Sequence, residues 1–332
     1  MSKLNIAILM GGPSQEYEVS LKTGKMILNA LDKEKYNVTP VVIGKDGKWL
    51  LPQQENPLPG GRVLEDMKSG GLDLAFIAMH GTYGEDGTIQ GFLEAANVPY
   101  TGSGILASAL AMDKIKSSEI FSFHKIEIPD FLSFSFKDWK KDAEKILADV
   151  QEHIGFPCII KPACCGSSFG ISLVKEKNYL KEAMESAFSC SEKILAQKFI
   201  VGHEVTCAIL DEGGDTEPVA LPPTQIIPKA ASFFDFGAKY AVSATEEVTP
   251  PRLPKEIIKR IQEIALSAHG ILGCSGMSRT DMIVTDGEIY VLETNTIPGM
   301  TETSLYPQAA KAVGIAFGEL LDKIIKSGLN KK

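Results

Sequence analysis

The sequence predicts an α/β protein that opens with a doubly wound domain and turns to α+β towards its C-terminus. Three observations carry this. Over residues 1–100, short apolar strands alternate with helices, the pattern of a mostly parallel sheet covered on both faces. Two of those strands run into polar loops, Gly11-Gly12-Pro13-Ser14-Gln15-Glu16 and His80–Gly87, at the carboxyl ends where such sheets bind ligands. Residues 278–305, SRTDMIVTDGEIYVLETNTIPGMTETSL, read instead as an antiparallel hairpin closed by Asp286-Gly287.

Bulk properties narrow the function. A chain of 332 residues, 44% hydrophobic, can bury a large core and divides into two or three domains. A net charge of −8 argues against nucleic acid or an anionic membrane as partner. No apolar run is long enough to span a bilayer, and MSKLNIAILMGG reads as a first strand, not a signal peptide. Six cysteines (158, 164, 165, 190, 207 and 274) show neither C-x-x-C spacing nor a nearby histidine pair. They are expected to be free thiols of a cytoplasmic protein, not zinc ligands.

In chain order, strands are expected at 4–10, Val38–Ile43 and Leu74–Met79, with helices from Glu18 to Leu31 and from Gly87 to Ala96. GGPSQE lacks the G-x-G-x-x-G spacing, which disfavours a dinucleotide site and with it a dehydrogenase. The turn-rich Pro99–Gly104 marks the first boundary, giving domains 1–100, 101–200 and 201–332. A helix LASALAMDKIKSSEIF carries Lys114, and a second spans 137–153. Strands Phe131–Phe134 and Cys158–Pro162 follow, the latter delivering Lys161 into Ala163–Gly170, a glycine–serine loop with phosphate-binding backbone donors. That loop is no Walker A motif, because the terminal Lys-Ser/Thr is missing. Next come strands Gly170–Val174 and Ile194–Ile200 around helix Tyr179–Phe188, then an antiparallel region, Val205–Leu210 and Pro218–Ile227. Residues 230–245, long, irregular and aromatic, have the character of an active-site lid. Helices Pro254–Leu272 and 304–326 flank the final hairpin.

Alternation along the hairpin puts Arg279 and Asp281 on one face, and likewise Glu293 and Asn295. The tight turn brings Asp281 level with the Glu293 end of its partner. Two carboxylates and an amide oxygen are hard donors, suited to Mg²⁺ or Mn²⁺. Ile297–Thr301 then exposes backbone N–H groups, and Ser304 stands where it can cap the last helix, whose N-terminus attracts anions. Together these suggest phosphoryl chemistry on a carboxylate-bearing substrate.

The stretches GGPSQEYEVSL, HGTYGEDGTIQGFLEAANVPYTGSGILASALAMDK, FPCIIKPACCGSSFGIS, FFDFGAKY and LETNTIPGMTETSL resemble the D-alanine–D-alanine ligases of the ATP-grasp superfamily, over essentially the whole chain. HGxxGEDGxxQGxLE and NTIPGMTxxSL together are highly specific. The resemblance implies an ATP-grasp fold and an enzyme that phosphorylates one D-alanine with ATP, after which a second D-alanine attacks the acyl phosphate. By motif, Glu16 holds the first substrate's ammonium with His80 beside it, while Ser167 and Tyr240 link to Glu16 and close the site. Lys114, Lys161 and the lid's Lys239 reach the phosphates; Gln197, Lys198, Ile200 and Glu204 fall at the adenine and ribose positions. Asp281, Glu293 and Asn295 match ligands of two Mg²⁺ or Mn²⁺ ions, Arg279 and the Gly299 N–H an oxyanion site, and Ser304 and Leu305 the seat of the second carboxylate. A homodimer is implied as well. The chain departs from the family at Gln197, where glutamate is usual, at Phe234 and Phe236 in place of lid tyrosines, and at Cys164-Cys165. No metal ligand, phosphate lysine or arginine is lost, so the expectation is an active ligase and not a nucleotide-binding regulator. The nearest alternative joins D-alanine to D-lactate, D-serine or another small amino acid.

Overall fold

The structure, a computed structural model, describes residues 2–164, 166, 170–228, 245–301 and 303–331. Among them three sheets stand in chain order. The first is built from β1 (Leu4–Gly11), β2 (Tyr36–Ile43), β3 (Trp49–Leu50) and β4 (Leu74–Ile77) in the order β3-β2-β1-β4. β1 runs parallel to β2 and β4, and β3 adds an antiparallel edge. Ile6–Met10 is buried without a break, as a central parallel strand covered on both faces must be. Helices Tyr17–Ala30, Gly60–Ser69 and Thr88–Ala95 belong to this part of the chain. Helix Gly60–Ser69 and β3 escape the sequence pattern: the helix starts on two glycines and buries only Val63 and Leu64. The short β3 is anchored by Trp49, whose ring lies 5.5 Å from that of Phe92.

The second sheet is antiparallel: β5 (Phe131–Ser135), β6 (Cys158–Pro162), β7 (Ser172–Val174) and β8 (Lys193–Lys198), in the order β5-β8-β6-β7. One face, with Cys158, Ile160, Ile194 and Ala196, packs on helices Ala143–His153 and Leu180–Phe188. Pairing Lys161 with Leu195 and Ile159 with Gln197 leaves Lys161 and Gln197 together on the opposite face.

The third sheet holds β9 (His203–Leu210), β10 (Val219–Ala220), β11 (Thr224–Pro228), β12 (Thr245–Val248), β13 (Met277–Thr285) and β14 (Glu288–Asn295), along the path β12-β11-β9-β13-β14 with β10 on β9. Helix Lys255–Leu272 covers one face, Ile261, Ala265 and Ala268 meeting Val205, Cys207 and Met282. Residues Pro218–Ile227, expected as one strand, are β10 and β11 separated by Leu221–Pro223.

Three expected helices are each broken in two. Asp113 ends helix Ile105–Met112 and accepts from the N–H groups of Ile115 and Lys116, so helix Lys114–Phe123 starts afresh. Asp142 does the same between Phe136–Lys141 and Ala143–His153, accepting from Lys145 N–H. The last pair, Leu305–Ala312 and Phe317–Asn330, is separated by Gly314 at φ 83°. In each case a residue that favours a cap or a left-handed turn overrides a continuous helical pattern. The final helix returns to the first sheet: Leu320, Leu321, Ile324 and Ile325 share a core with Ile6–Met10 and Leu74–Met79.

Candidate active site

The β13–β14 hairpin supplies Arg279, Asp281 and Glu293. Its two-residue turn has both φ angles positive, 48° at Asp286 and 83° at Gly287, which suits the twist of the flanking strands. Pairing is regular from Thr285 with Glu288 to Met282 with Val291, then shifts so that Asp281 faces Glu293 and Leu292 is left as an extra residue. That bulge decides the site. Strict alternation from the buried Ile289 and Val291 would turn Glu293 into the core; the inserted Leu292 turns it to the same side as Asp281. Arg279 and Asn295, paired with each other, share that side.

The side chains are held closely. Arg279 donates both from Nε (2.9 Å, to Oδ1) and from a terminal nitrogen (2.8 Å, to Oδ2) to Asp281. Asn295 Nδ2 donates to Asp281 Oδ2 at 3.2 Å, and Thr206 Oγ1 to Oδ1 at 2.5 Å. Burial works against the Arg279 charge, but Asp281, Glu293 and Glu85 more than offset it and raise its pKa. Lys114, first residue of its helix and 8% exposed, places Nζ 3.0 Å from Glu293 Oε2. Its backbone N–H bonds Ala163 O at 3.0 Å, tying the helix start to the glycine–serine loop.

Glu16, at the start of the helix that follows β1, approaches the site from the side of Gly81 and Gly166. A Cβ at Gly81, where φ is +74°, would stand 2.4 Å from Glu16 Oε2, and one at Gly166 only 2.2 Å away. The left-handed backbone at Gly81 favours glycine, and at either position a side chain would have to push the Glu16 carboxylate aside. His80 is buried, with Nδ1 3.1 Å from Ile297 O and Nε2 2.8 Å from Thr23 Oγ1. A carbonyl can only accept, so Nδ1 carries the proton and Nε2 accepts from the threonine hydroxyl. Burial lowers the His80 pKa and keeps the ring neutral. Both ring nitrogens are thus engaged by the protein, and His80 supports the site from behind instead of offering a nitrogen to substrate.

Glu85 is a participant that sequence reading passed over. Oε2 accepts from Gly81 N–H at 2.6 Å and Oε1 from Ile297 N–H at 3.2 Å. Burial and the neighbouring Glu16 carboxylate raise its pKa, against the pull of those two donors and Arg279. Its place inside HGTYGEDG was the available signal. Thr206 carried none, because it meets Asp281 only through the β9–β13 register.

The other expected residues distribute as follows. Lys161 and Gln197 are buried on their shared face, whereas Lys198 points the other way, exposed, with Nζ 3.9 Å from Asp130. Ile200 follows β8, and Glu204, near the start of β9, is half-buried. Ser304 occupies the N-cap position of its helix but makes no side-chain cap bond. Its Oγ turns back to accept from Thr301 N–H at 2.9 Å and lies 2.8 Å from Thr301 Oγ1. The expected side-chain cap is therefore replaced by a bond that folds the 301–304 turn. A Cβ on Gly299 would reach within 2.8 Å of Ser304 Oγ, and Leu305 opens the helix beside them. Ser167, Lys239 and Tyr240, with most of 230–245, Phe234, Phe236 and Cys165, lie outside the described residues.

A cavity of about 40 Å³ lies between these parts, lined by Glu85, Lys114, Gly166, Glu293, Asn295 and Thr296 among others. A larger groove of about 360 Å³, along Lys125, Arg260 and Glu288, touches none of the candidate residues. Chemistry, not size, identifies the smaller space as the site.

A glycine-bearing loop and buried lysines over an antiparallel sheet, facing an acidic hairpin, define an enzyme of the ATP-grasp fold. The chain belongs to the D-alanine–D-alanine ligase family: the model "D-ala D-ala ligase N-terminus" matches residues 5–103 and "D-ala D-ala ligase C-terminus" residues 120–326. It is 39% identical to a D-alanine–D-alanine ligase of Leptospira interrogans, over 98% of each chain. Among solved structures it resembles the VanG D-Ala:D-Ser ligase of Enterococcus faecalis, with TM-score 0.83 and 33% identity over 98% of this chain and 100% of that one. It also resembles the D-alanine–D-alanine ligase of Bacillus anthracis complexed with ATP, with TM-score 0.79 and 36% identity over 99% and 98%.

Proposed function

We infer that this protein joins two D-alanines to D-alanyl-D-alanine at the expense of ATP, through a D-alanyl phosphate, in the synthesis of peptidoglycan precursors. The observation that carries the reading is that Glu16 is packed against Gly166, which lines one cavity with Lys114 and Glu293, within a chain of this family. An ammonium acceptor on one wall and cationic and metal-binding groups on the other fit an amino acid presented to a triphosphate.

The chemistry follows from charge. A carboxylate oxygen of the first D-alanine attacks the γ-phosphorus, forming a C–O–P bond as the bond to ADP breaks. The amine of the second D-alanine then attacks the acyl carbon, losing a proton, and phosphate leaves. Glu16 holds the first ammonium, Arg279 and the Gly299 N–H receive the developing oxyanion, and Ser304 and Leu305 border the seat of the second carboxylate. Carboxylate and triphosphate repel, so Lys114, Lys161 and Lys239 bring them together. Gln197 accepts from the adenine amino group through its amide oxygen, and Lys198, Ile200 and Glu204 border adenine and ribose. Ser167 and Tyr240 join Glu16 when the 230–245 lid excludes water from the acyl phosphate.

Asp281, Glu293 and Asn295, hard oxygen donors gathered on one face by the Leu292 bulge, fit two Mg²⁺ or Mn²⁺ ions. Such ions, when bound, neutralise charge between the phosphates. The same reading divides the chain into units 1–100, 101–200 and 201–332 and places it in the cytoplasm. Among the described residues no helix is long and apolar enough to cross a membrane. It also makes the protein a homodimer, consistent with the uncharged helix Ile105–Met112, which leaves Ile105 and Leu106 exposed.

Phosphate release with ATP, Mg²⁺ and a panel of D- and L-amino and hydroxy acids tests the reading. Release dependent on D-alanine, with D-alanyl-D-alanine as product, is expected. A preference for D-serine or D-lactate as second substrate would move the chain to the related ligases, and no D-alanine dependence would overturn the assignment.

A further inference from the structure

Residue Ile297 is held at both of its backbone polar atoms, which belong to the two successive peptide planes on either side of its Cα, by one loop of the first sheet. His80 donates from Nδ1 to Ile297 O at 3.1 Å, and Ile297 N–H donates to Glu85 Oε1 at 3.2 Å. The second Glu85 oxygen takes Gly81 N–H at 2.6 Å, and Gly81 is packed directly against Glu16. His80 is locked from behind by Thr23 Oγ1 on Nε2 and by Ser20 Oγ on its own backbone N–H. Ile297 itself follows Asn295 by two residues and precedes Gly299 by two. One doubly held residue thus lies in the chain between Asn295 and Gly299.

We propose that Glu85 and His80 are positioning residues that fix the backbone on both sides of Ile297, and through it set the Gly299 N–H against the carboxylate of the substrate whose ammonium Glu16 holds. The assignment rests on the ligase reading above. Neither side chain needs to touch a substrate for this. With the N–H of one plane and the C=O of the next both gripped, neither peptide plane flanking Ile297 can rotate freely, and the grip comes from the loop that also borders Glu16. The two walls are thereby spaced by two hydrogen bonds rather than by packing alone.

Carboxylate length and charge can be separated. Glu85→Asp keeps the charge but is one methylene too short to reach Gly81 and Ile297 together. Glu85→Gln keeps the reach but turns an amide NH₂ towards one of the two N–H donors. Both are expected to lower kcat, on the order of 10²-fold for a displacement near 1 Å. Binding of a non-hydrolysable ATP analogue should stay within about twofold, since the hydrogen bonds of Glu85 run to the backbone of Gly81 and Ile297. His80→Gln should slow turnover too, and combining it with Glu85→Gln should cost little beyond the worse single change, because both hold the backbone of one residue.

The experiment is steady-state kinetics on the four variants with wild type alongside, calibrated by the fraction of protein that binds the analogue. D-alanine-dependent turnover by wild type checks the ligase reading separately. With wild type active, a normal Glu85→Asp beside a slow Glu85→Gln would replace the clamp with a simple charge effect on Arg279. Normal rates in both, or multiplicative losses in the double variant, would overturn it. If Glu85→Gln does not fold, Glu85→Asp and His80→Gln still decide: normal turnover per binding site in either sinks the proposal.

Discussion

At the scale of single residues, the site is a set of charges that neutralise one another before any ligand arrives. Arg279 is forked onto Asp281 and Lys114 lies against Glu293, so each anion already has a cation beside it. Such pairs fix geometry, and substrate binding exchanges partners instead of creating bare charge. Arg279→Ala should therefore lower kcat on the order of 10²–10³-fold, the usual loss for an oxyanion donor, with a smaller rise in KM for ATP. Steady-state kinetics separate the two, and a change confined to KM would assign Arg279 to the phosphates. Glu293→Gln removes an anionic ligand and the partner of Lys114; turnover should be lost and rising Mg²⁺ should not restore it, with circular dichroism unchanged. Near-normal rates at low Mg²⁺ would remove Glu293 from the metal site. Arg279, Asp281 and Glu293 were legible because their types recur in order along one stretch, Lys114 only through the family resemblance. Glu85 and Thr206 were not, since each acts through a partner more than seventy residues away.

At the scale of elements, capping chemistry and one inserted residue decide where the functional groups point. Sequence alternation identified the hairpin, but strict alternation through Val291 would have placed Glu293 in the core. A bulge has no sequence signature of its own, because it is settled by the partner strand, so the register beyond the turn could not be read from spacing. The broken helices teach the same lesson from the opposite side. LASALAMDKIKSSEIF looks continuous because apolar residues recur at helical spacing, yet Asp113 competes with the helix for backbone donors. That competition sets Lys114 as a first-turn residue whose N–H is free to bond Ala163 O. Asp113→Ala should cost about 1 kcal/mol of stability, the usual worth of such a cap. Because it also loosens Lys114, KM for ATP should rise while KM for D-alanine holds. Equal changes in both would show that the cap serves stability alone.

At the scale of the whole molecule, the chain closes on itself through its last helix. Helix Phe317–Asn330 buries Leu320, Leu321, Ile324 and Ile325 in the core of the first sheet. On another side Lys323 and Lys326 reach Glu212, beyond the end of β9, at 2.8 and 3.0 Å. Its amphipathic pattern was plain in the sequence; its destination, over 240 residues upstream, was not. Acid should act on this assembly in two senses. His80 is held neutral, its pKa below the ordinary 6.5, so as pH falls through that value the unfolded chain gains a proton that the folded one refuses. The Asp211 carboxyl, lowered first by its contact with His269, adds a loss at still lower pH, as it is protonated. The raised Glu85 carboxyl acts in the opposite sense, since the folded state takes up that proton first. The His80 share is therefore read against His80→Gln. Relative to that variant the urea midpoint of wild type should fall between pH 7 and 5, and a constant difference would contradict the buried neutral ring. The helix offers the sharper test, because apolar burial and ion pairing can be removed separately. Leu321 is fully buried, and truncating such a side chain costs roughly 2–5 kcal/mol, a large part of the 5–15 kcal/mol that holds a typical domain together. Its neighbour Asp322 meets Lys35 at 2.6 Å and Tyr36 Oη at 2.8 Å, with both charged partners open to solvent that screens them. Leu321→Ala should therefore shift urea unfolding strongly and Asp322→Asn hardly at all. If the order were reversed, the closure of the fold would rest on its surface charges and not on the apolar seam.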